Sequence, residues 1–284
     1  MGEDSDRHIV DQLIRERAPG LSGGLAWPVV RPPLYKLLNY AEARDMADTI
    51  KDMDGREALE HASDLLDLQV SAEAVDCVPG DGACLICVNH PTGIADGVAV
   101  HDALIERRPD LCFFVNADAL RICEGLEQVA VPVVWPPEER DMESSKETLR
   151  QAVDAIENER AIVIFPSGAV ARKRKREGEV RDEPWEATPV TLARKHDVTI
   201  VPGHLSGPES RLFHLFDTVS EELRDVTLFH EMLNKKGDRF KLVFGEPMEP
   251  DALEDLDDQE TTDSLRRFVN EDLAGRPGGR FDPG

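Results

Sequence analysis

Cys84-Leu85-Ile86-Cys87-Val88-Asn89-His90-Pro91-Thr92-Gly93-Ile94-Ala95-Asp96-Gly97 joins an apolar run to a tight polar turn and then to a helical pattern. The run Cys84–Val88 holds no charged or polar-uncharged side chain other than thiols. It therefore reads as a strand buried on both faces, and such strands belong to sheets covered by helices on each side. Similar runs follow at Leu111–Val115, Val129–Trp135, Ala161–Phe165, Val198–Pro202 and Phe240–Phe244. Helical patterns lie between them at Gly97–Arg107, Ser144–Glu157, Glu186–His196 and Glu221–Asn234. The alternation predicts an α/β fold with a mixed, mostly parallel central sheet flanked by helices. Ligands of such sheets bind beyond the carboxyl ends of the strands, so the residues after each strand carry the candidate chemistry.

Residues 1–76 read as a helical N-terminal extension and residues 77–284 as one main domain with an acidic C-terminal tail. Helical patterns at Ala41–Met53 and Arg56–Leu66 follow a proline-broken apolar patch, Leu25–Leu38, which contains Trp27 and Tyr35. That patch has two readings. It is either an arm packed on the core or an interfacial anchor with its aromatics, Arg31 and Lys36 at the level of lipid headgroups. The dense acidic stretch Glu249–Asp263 reads as solvated surface before a last helix, Thr261–Leu273.

With 284 residues, 40% of them hydrophobic and 32% charged, the chain can bury a sizeable core and is not disordered overall. No run approaches the roughly 18 apolar residues of a spanning helix, and Met1–Arg7 is the reverse of a secretory signal, so a cytoplasmic protein is expected. Fifty-seven acidic against 33 basic residues give a formal net charge of -24, which repels nucleic acid over most of the surface. Low Lys with high Asp and Glu is also what a saline habitat selects, so the acidity has an explanation apart from function. The cysteines Cys77, Cys84, Cys87, Cys112 and Cys123 are odd in number and lie in or beside strand-like segments, as reduced core residues do. Cys84 and Cys87 point to opposite faces of one strand, which rules out redox or zinc chemistry between them. No histidine spacing suits a metal, so none is assigned.

Two strand ends stand out. The first delivers His90 to the edge of the sheet, and the Pro91–Gly93 turn leads to Asp96 at the start of a helix. Asp96 is explained as a helix cap, or as a carboxylate folded back onto one imidazole nitrogen so that the other faces the cleft as a base. The second is Phe165-Pro166-Ser167-Gly168, followed by the basic run Arg172-Lys173-Arg174-Lys175-Arg176. This is a turn and a solvated loop, or a local positive site for a lipid headgroup, coenzyme A or an anionic membrane. Asn116, Asp118, Arg140, Asp141, His204, Ser206 and Ser210 also follow strands and carry less specific signals.

Together these segments resemble the phospholipid/glycerol acyltransferase superfamily, and more closely its hemolysin-like branch, which includes lyso-ornithine-lipid acyltransferases. Asn89-His90-Pro91-Thr92-Gly93-Ile94-Ala95-Asp96-Gly97 answers the family's His/Asp motif and Phe165-Pro166-Ser167-Gly168 its Phe-Pro-x-Gly block. Ile200-Val201-Pro202-Gly203-His204 answers the late Val-Pro block, and Gly245-Glu246-Pro247 the final Gly-x-Pro strand end. Four ordered motifs between about Pro79 and Leu253 are far more specific than any one of them.

The resemblance implies transfer of a fatty acyl group from acyl-CoA or acyl-carrier protein to a lysolipid, with no further cofactor. His90 would be the general base and Asp96 its orienter. Asn89, Thr92, Gly93, Phe165, Pro166, Ser167, Gly168, Arg140 and Arg172 would bind substrate. The enzyme would act peripherally at the inner face of the membrane. A thioester hydrolase at the same pair, or a non-catalytic lipid- or membrane-binding protein, are the alternatives. The chain departs from the commoner family form in its longer His–Asp spacing and in Ser167, where glycerol-phosphate acyltransferases have Glu. Arg172 also lies further beyond Gly168 than the family's cation does. These departures fall on acceptor-binding positions.

Overall fold

The computed structural model describes residues 7–135, 139–173, 180–253 and 257–282. Strands run in the order β1 (Gln69–Glu73), β2 (Cys84–Val88), β3 (Cys112–Asn116), β4 (Ala130–Val133), β5 (Ala161–Ile164), β6 (Arg172–Lys173), β7 (Val180–Arg181), β8 (Thr199–Ser206) and β9 (Arg239–Phe244). Seven of them form one sheet, β1-β9-β8-β2-β5-β3-β4, and β6 with β7 forms a separate hairpin. Every pairing in the large sheet is parallel except β8 with β9. The expected mixed, mostly parallel α/β sheet is therefore present.

The helices are α1 (Ile9–Arg17), α2 (Pro19–Ser22), α3 (Trp27–Leu37), α4 (Tyr40–Ile50), α5 (Gly55–Leu66), α6 (Ile94–Leu104), α7 (Asp118–Ile122), α8 (Met142–Glu157), α9 (Thr188–His196), α10 (Arg211–Asp217), α11 (Glu221–Asp225), α12 (Leu228–Leu233) and α13 (Asp258–Arg267). Strand β2 shows why its sequence is apolar throughout. Cys84, Ile86 and Val88 join the core shared with α1, α3, α4 and α6, whereas Leu85 and Cys87 join the core shared with α8, α9 and α13. The two thiols do lie on opposite faces, and burial pushes that of Cys84 up to about 11.

Several expectations need correction. The extension is not helical to Asp76: Gln69–Glu73 is an edge strand parallel to β9, with Glu73 paired to Lys241 at 2.9 Å. Its sequence is polar because an edge strand faces water and repels unwanted pairing with charge. The proline-broken patch is itself a helix, α3, running through Pro32 and Pro33. Trp27 and Leu34 are buried under it while Pro28 and Val29 are exposed, so the carbonyls that lose their amide partners face water. The pattern Glu221–Asn234 divides into α11 and α12, where the Thr227 hydroxyl donates to the Arg224 carbonyl at 2.6 Å and competes with helix continuation. The last helix ends at Arg267 and continues as a wider turn over Phe268–Asp272.

The extension packs as an arm on the core. Tyr35 and Tyr40 stack with ring centroids 4.0 Å apart, and both hydroxyls donate to the Asp11 carboxylate. The aromatics thus point inward, contrary to the headgroup-level reading. Leu25, Val29, Leu37, Arg31 and Lys36 are among the side chains this region leaves exposed. Among the described residues, no helix is long and apolar enough to cross a membrane.

Candidate active site

The parallel strands β2, β5, β3 and β4 end side by side, which brings His90, Phe165–Gly168, Asn116 and Arg140 to one edge of the sheet. Beyond β2 the chain turns through Gly93, whose φ of +107° an L side chain rarely adopts. The turn feeds α6 and sets Asp96, a fully buried residue, in its first turn.

Asp96 is the third residue of α6, whose N-cap is Gly93, and its carboxylate faces both the helix start and the His90 ring. One carboxylate oxygen, Oδ2, accepts the backbone N–H of Thr92 at 2.9 Å and that of Gly93 at 3.1 Å. The same oxygen lies 2.8 Å from Nδ1 of His90. An oxygen already accepting two amide hydrogens meets the ring as an acceptor, so Nδ1 carries the hydrogen and Nε2 is left with its lone pair. The Phe165 ring stacks on the imidazole at 4.4 Å with 26° between planes. The imidazole keeps 18% of its surface accessible, which is enough for a substrate atom to reach it.

His90 lines a cavity of about 570 Å³, a size suited to a small-molecule or lipid ligand. Its greasy wall includes Leu13 and Ile14 of α1, Met46 and Ile50 of α4, and Leu59 of α5. The N-terminal helices are therefore part of the site. Gly93, Phe165, Pro166, Gly168, Arg140 and Arg172 line it as expected from sequence, and Asn116 and Asp118 do too. A Cβ on Gly168, which has φ +60°, would come within 4.0 Å of the Arg140 guanidinium. Arg140 is steadied by its Nε bond to the Val134 carbonyl at 2.8 Å. Arg172 lies 3.7 Å from Glu183, two residues beyond the end of β7. Arg174, Lys175 and Arg176 lie outside the described residues.

Asn89, Thr92 and Ser167 do not line the cavity. Asn89 is buried, accepting the Leu205 N–H at 2.6 Å and donating to the Leu205 carbonyl at 2.9 Å. Its amide thus copies a peptide group and extends the β2–β8 ladder by one step. Thr92 donates its hydroxyl to the second oxygen of Asp96. The Ser167 hydroxyl donates to the Ala169 carbonyl at 2.8 Å. All three brace the site from behind. Elsewhere, Asp141 caps α8, Ser210 donates to the Thr92 carbonyl at 3.2 Å, and His204 meets the Val269 carbonyl at 2.8 Å.

Three contributors carry no signal in the sequence. Arg17 of α1 enters the cavity wall, pairs with Asp118 at 2.6 Å and stacks over Trp135 at 4.9 Å. Asp182 is buried behind His90 and accepts the Trp185 indole N–H at 2.6 Å. Trp185 is itself buried in the second core cluster. Each becomes visible only when distant segments meet.

An imidazole bonded to a carboxylate at the wall of an apolar cavity that also carries arginines is an arrangement that can take a proton from a bound amphipathic molecule. A family model described as acyltransferase matches residues 12–270, and the chain belongs to that acyltransferase family. The resemblance to the phospholipid/glycerol acyltransferase superfamily is thus upheld, and the protein is an acyltransferase. Among similar proteins is a lyso-glycine lipid O-acyltransferase of Bacteroides thetaiotaomicron, 24% identical over 84% of this chain and 87% of the relative. Another, of the same description, is from Phocaeicola vulgatus, 26% identical over 70% of this chain and 71% of the relative. A solved structure, the 1-acyl-sn-glycerophosphate acyltransferase PlsC from Thermotoga maritima, covers 92% of this chain and 94% of its own at 15% identity with a TM-score of 0.47.

Proposed function

We propose that the protein transfers a fatty acyl group from an acyl-CoA or acyl-carrier-protein thioester to the hydroxyl of a lysolipid, with His90 as general base and Asp96 as its orienter. The observation that carries this reading is the 2.8 Å contact between His90 Nδ1 and Asp96 Oδ2 at the wall of a greasy cavity. Nε2 takes the proton of the acceptor hydroxyl as its oxygen attacks the thioester carbonyl. The tetrahedral intermediate collapses, the carbon–sulfur bond breaks, and the leaving thiolate regains the proton from the imidazolium. No acyl-enzyme is needed, because a thioester is already activated and the enzyme has chiefly to align reactants and stabilise charge.

Arg140 and Arg172 are among the cations in the cavity wall, suited to an anionic headgroup on the acceptor or to the phosphates of the donor. The names of the two relatives support a lysolipid acceptor and transfer to oxygen. The exposed face of α3 supports peripheral binding at the cytoplasmic side of a membrane, where such thioesters are available.

The direct test incubates purified protein with a panel of lysolipids and labelled acyl-CoA or acyl-carrier protein. Transfer that disappears in His90→Ala and falls by about four orders of magnitude in Asp96→Asn, as in triads that lose their orienter, would support the reading. Full activity in His90→Ala would reject it. Release of free fatty acid without an acceptor would instead indicate a hydrolase, and vesicle binding with neither reaction a non-catalytic binder.

A further inference from the structure

The β6–β7 hairpin stands with both feet on the backbone of one residue, His90. Just before β6, the Ala171 N–H donates to the His90 carbonyl at 2.8 Å. Just after β7, the Asp182 carboxylate accepts the His90 N–H at 3.4 Å. Asp182 is only 3% exposed, and its other oxygen holds the Trp185 indole N–H at 2.6 Å. The Ser167 hydroxyl also lies within reach of this carboxylate. One turn further on, the Glu186 N–H donates to the Pro166 carbonyl at 2.9 Å. The segment is fastened from outside as well: Arg266 of α13 donates to the Asp182 carbonyl at 3.1 Å, and Gln259 to that of Trp185 at 3.1 Å.

We propose that Asp182 is a positioning residue for acyl transfer, locking the His90 peptide to the Phe165–Gly168 turn and setting a second carboxylate behind the imidazole. The inference rests on His90 being the base. Asp96 and Asp182 then play different parts. Asp96 bonds the ring and selects its tautomer, whereas Asp182 bonds the backbone and acts on the ring through space. Its charge favours the imidazolium that forms when His90 removes the acceptor's proton, and this help is strong because the site is buried. The other charges around the pair are Asp96 on α6, Arg172 on β6, Glu183 just after β7, Arg140 beyond β4, Glu186 ahead of α9 and Arg266 on α13.

Asp182→Asn keeps the shape, removes the charge and turns an amide NH2 toward one of the two N–H donors that the carboxylate serves. Trp185→Phe breaks the same hydrogen bond from its other end and keeps the charge. Transfer assays on both, on the wild type and on His90→Ala are run across pH. The expectation for Asp182→Asn is a roughly tenfold to hundredfold lower kcat, since small misplacements of a base cost that much, with little change in acceptor KM. The acid limb of its kcat/KM profile moves to lower pH, because an imidazole deprived of a neighbouring negative charge loses its proton more easily. Trp185→Phe leaves that limb in place.

Wild-type kcat and an unmoved limb in Asp182→Asn, with His90→Ala inactive, overturn the positioning role and leave the base intact. Equal losses in Asp182→Asn and Trp185→Phe with no movement of either limb also overturn it, as a packing effect. Full activity in His90→Ala overturns the reading beneath it. Should Asp182→Asn not fold, NMR of wild-type protein labelled at the histidine ring nitrogens decides. The His90 ring signals should respond to ionisation of the Asp182 carboxyl, which burial pushes up to about 6. Signals that show no such response overturn the proposal.

Discussion

The Phe165 ring lies 4.4 Å from the His90 imidazole and nearly parallel to it, so the turn after β5 sets the plane of the imidazole delivered by β2. The two motifs are 75 positions apart in the chain, yet β2 and β5 are hydrogen-bonded neighbours in the sheet. Phe165→Leu should keep the local burial and lose the stacking. Ring stacking is worth about 0.5–1.5 kcal/mol beyond area, so roughly a threefold to tenfold fall in kcat is expected, with under about 1.5 kcal/mol of stability lost. Steady-state kinetics beside thermal melting measures both. Unchanged kcat would show that Asp96 alone holds the ring.

Thr92 offers a test of bracing against binding. Its hydroxyl donates to Asp96, and the pair is buried. Thr92→Val keeps the volume and leaves one Asp96 oxygen without that donor, a loss of about 1–3 kcal/mol. For a chain of this length the midpoint should fall by roughly 2–4 °C per kcal/mol. Activity should fall through kcat. A selective rise in acceptor KM with unaltered melting would return Thr92 to the substrate-binding set.

His90 and Asp96 are legible in the sequence because a single turn connects them, and the residues of that turn announce its geometry. Gly93 is the conformational key. The strands are legible because burial on both faces removes polar residues from them. What lies hidden depends on meetings across long stretches of chain. Asp182 reaches His90 over 92 positions and Arg17 reaches Asp118 over 101, and neither has a local pattern. Polar motif residues mislead in the opposite sense. Asn89 looks like a ligand because it is polar and adjoins His90, but its amide is spent on Leu205. Strand β1 escapes notice because an edge strand needs no apolar run, and α3 because two prolines mask a helix held by burial of Trp27 and Leu34.

The buried Asp182 also predicts how stability depends on pH. Burial pushes its carboxyl up to about 6 from 3.8, so the folded protein holds this proton more tightly than the unfolded chain. Such a group costs nothing below about pH 4, and its penalty grows as pH rises through the window and is complete above about 6. Asp182→Asn lacks the penalty. The difference in unfolding free energy, mutant minus wild type, should therefore shift in the mutant's favour by about 1–3 kcal/mol between pH 4 and 7. Denaturant melts at several pH values measure the difference, in which the many other carboxylates cancel. A flat difference would mean that Asp182 titrates normally.

The exposed face of α3 carries the last prediction. Val29 is largely bare and Leu37 half so on a helix anchored by Trp27 and Leu34, and Leu25, just ahead of that helix, is bare as well. Arg31 and Lys36 are exposed on the same helix. On a protein of net charge -24, this face combines apolar side chains with cations, as interfacial helices do. Sinking an apolar side chain fully is worth about 1.5–3 kcal/mol, and each cation near an anionic surface about 1 kcal/mol. Leu25→Ser with Val29→Ser should therefore cut partitioning onto anionic vesicles at least about tenfold at any salt concentration. Arg31→Gln with Lys36→Gln should weaken it chiefly at low salt, because exposed charges are screened within about 10 Å at 0.1 M. The Leu25 and Val29 changes lie outside the Asp11 contacts that fasten the arm, so melting should stay within about 0.5 kcal/mol of wild type. Arg31, by contrast, lies 5.8 Å over the Tyr35 ring, and its loss should cost about 0.5–1 kcal/mol. Vesicle flotation separates the outcomes. If both double variants float like the wild type, α3 is an ordinary solvent-facing helix and the membrane contact must be made by another surface.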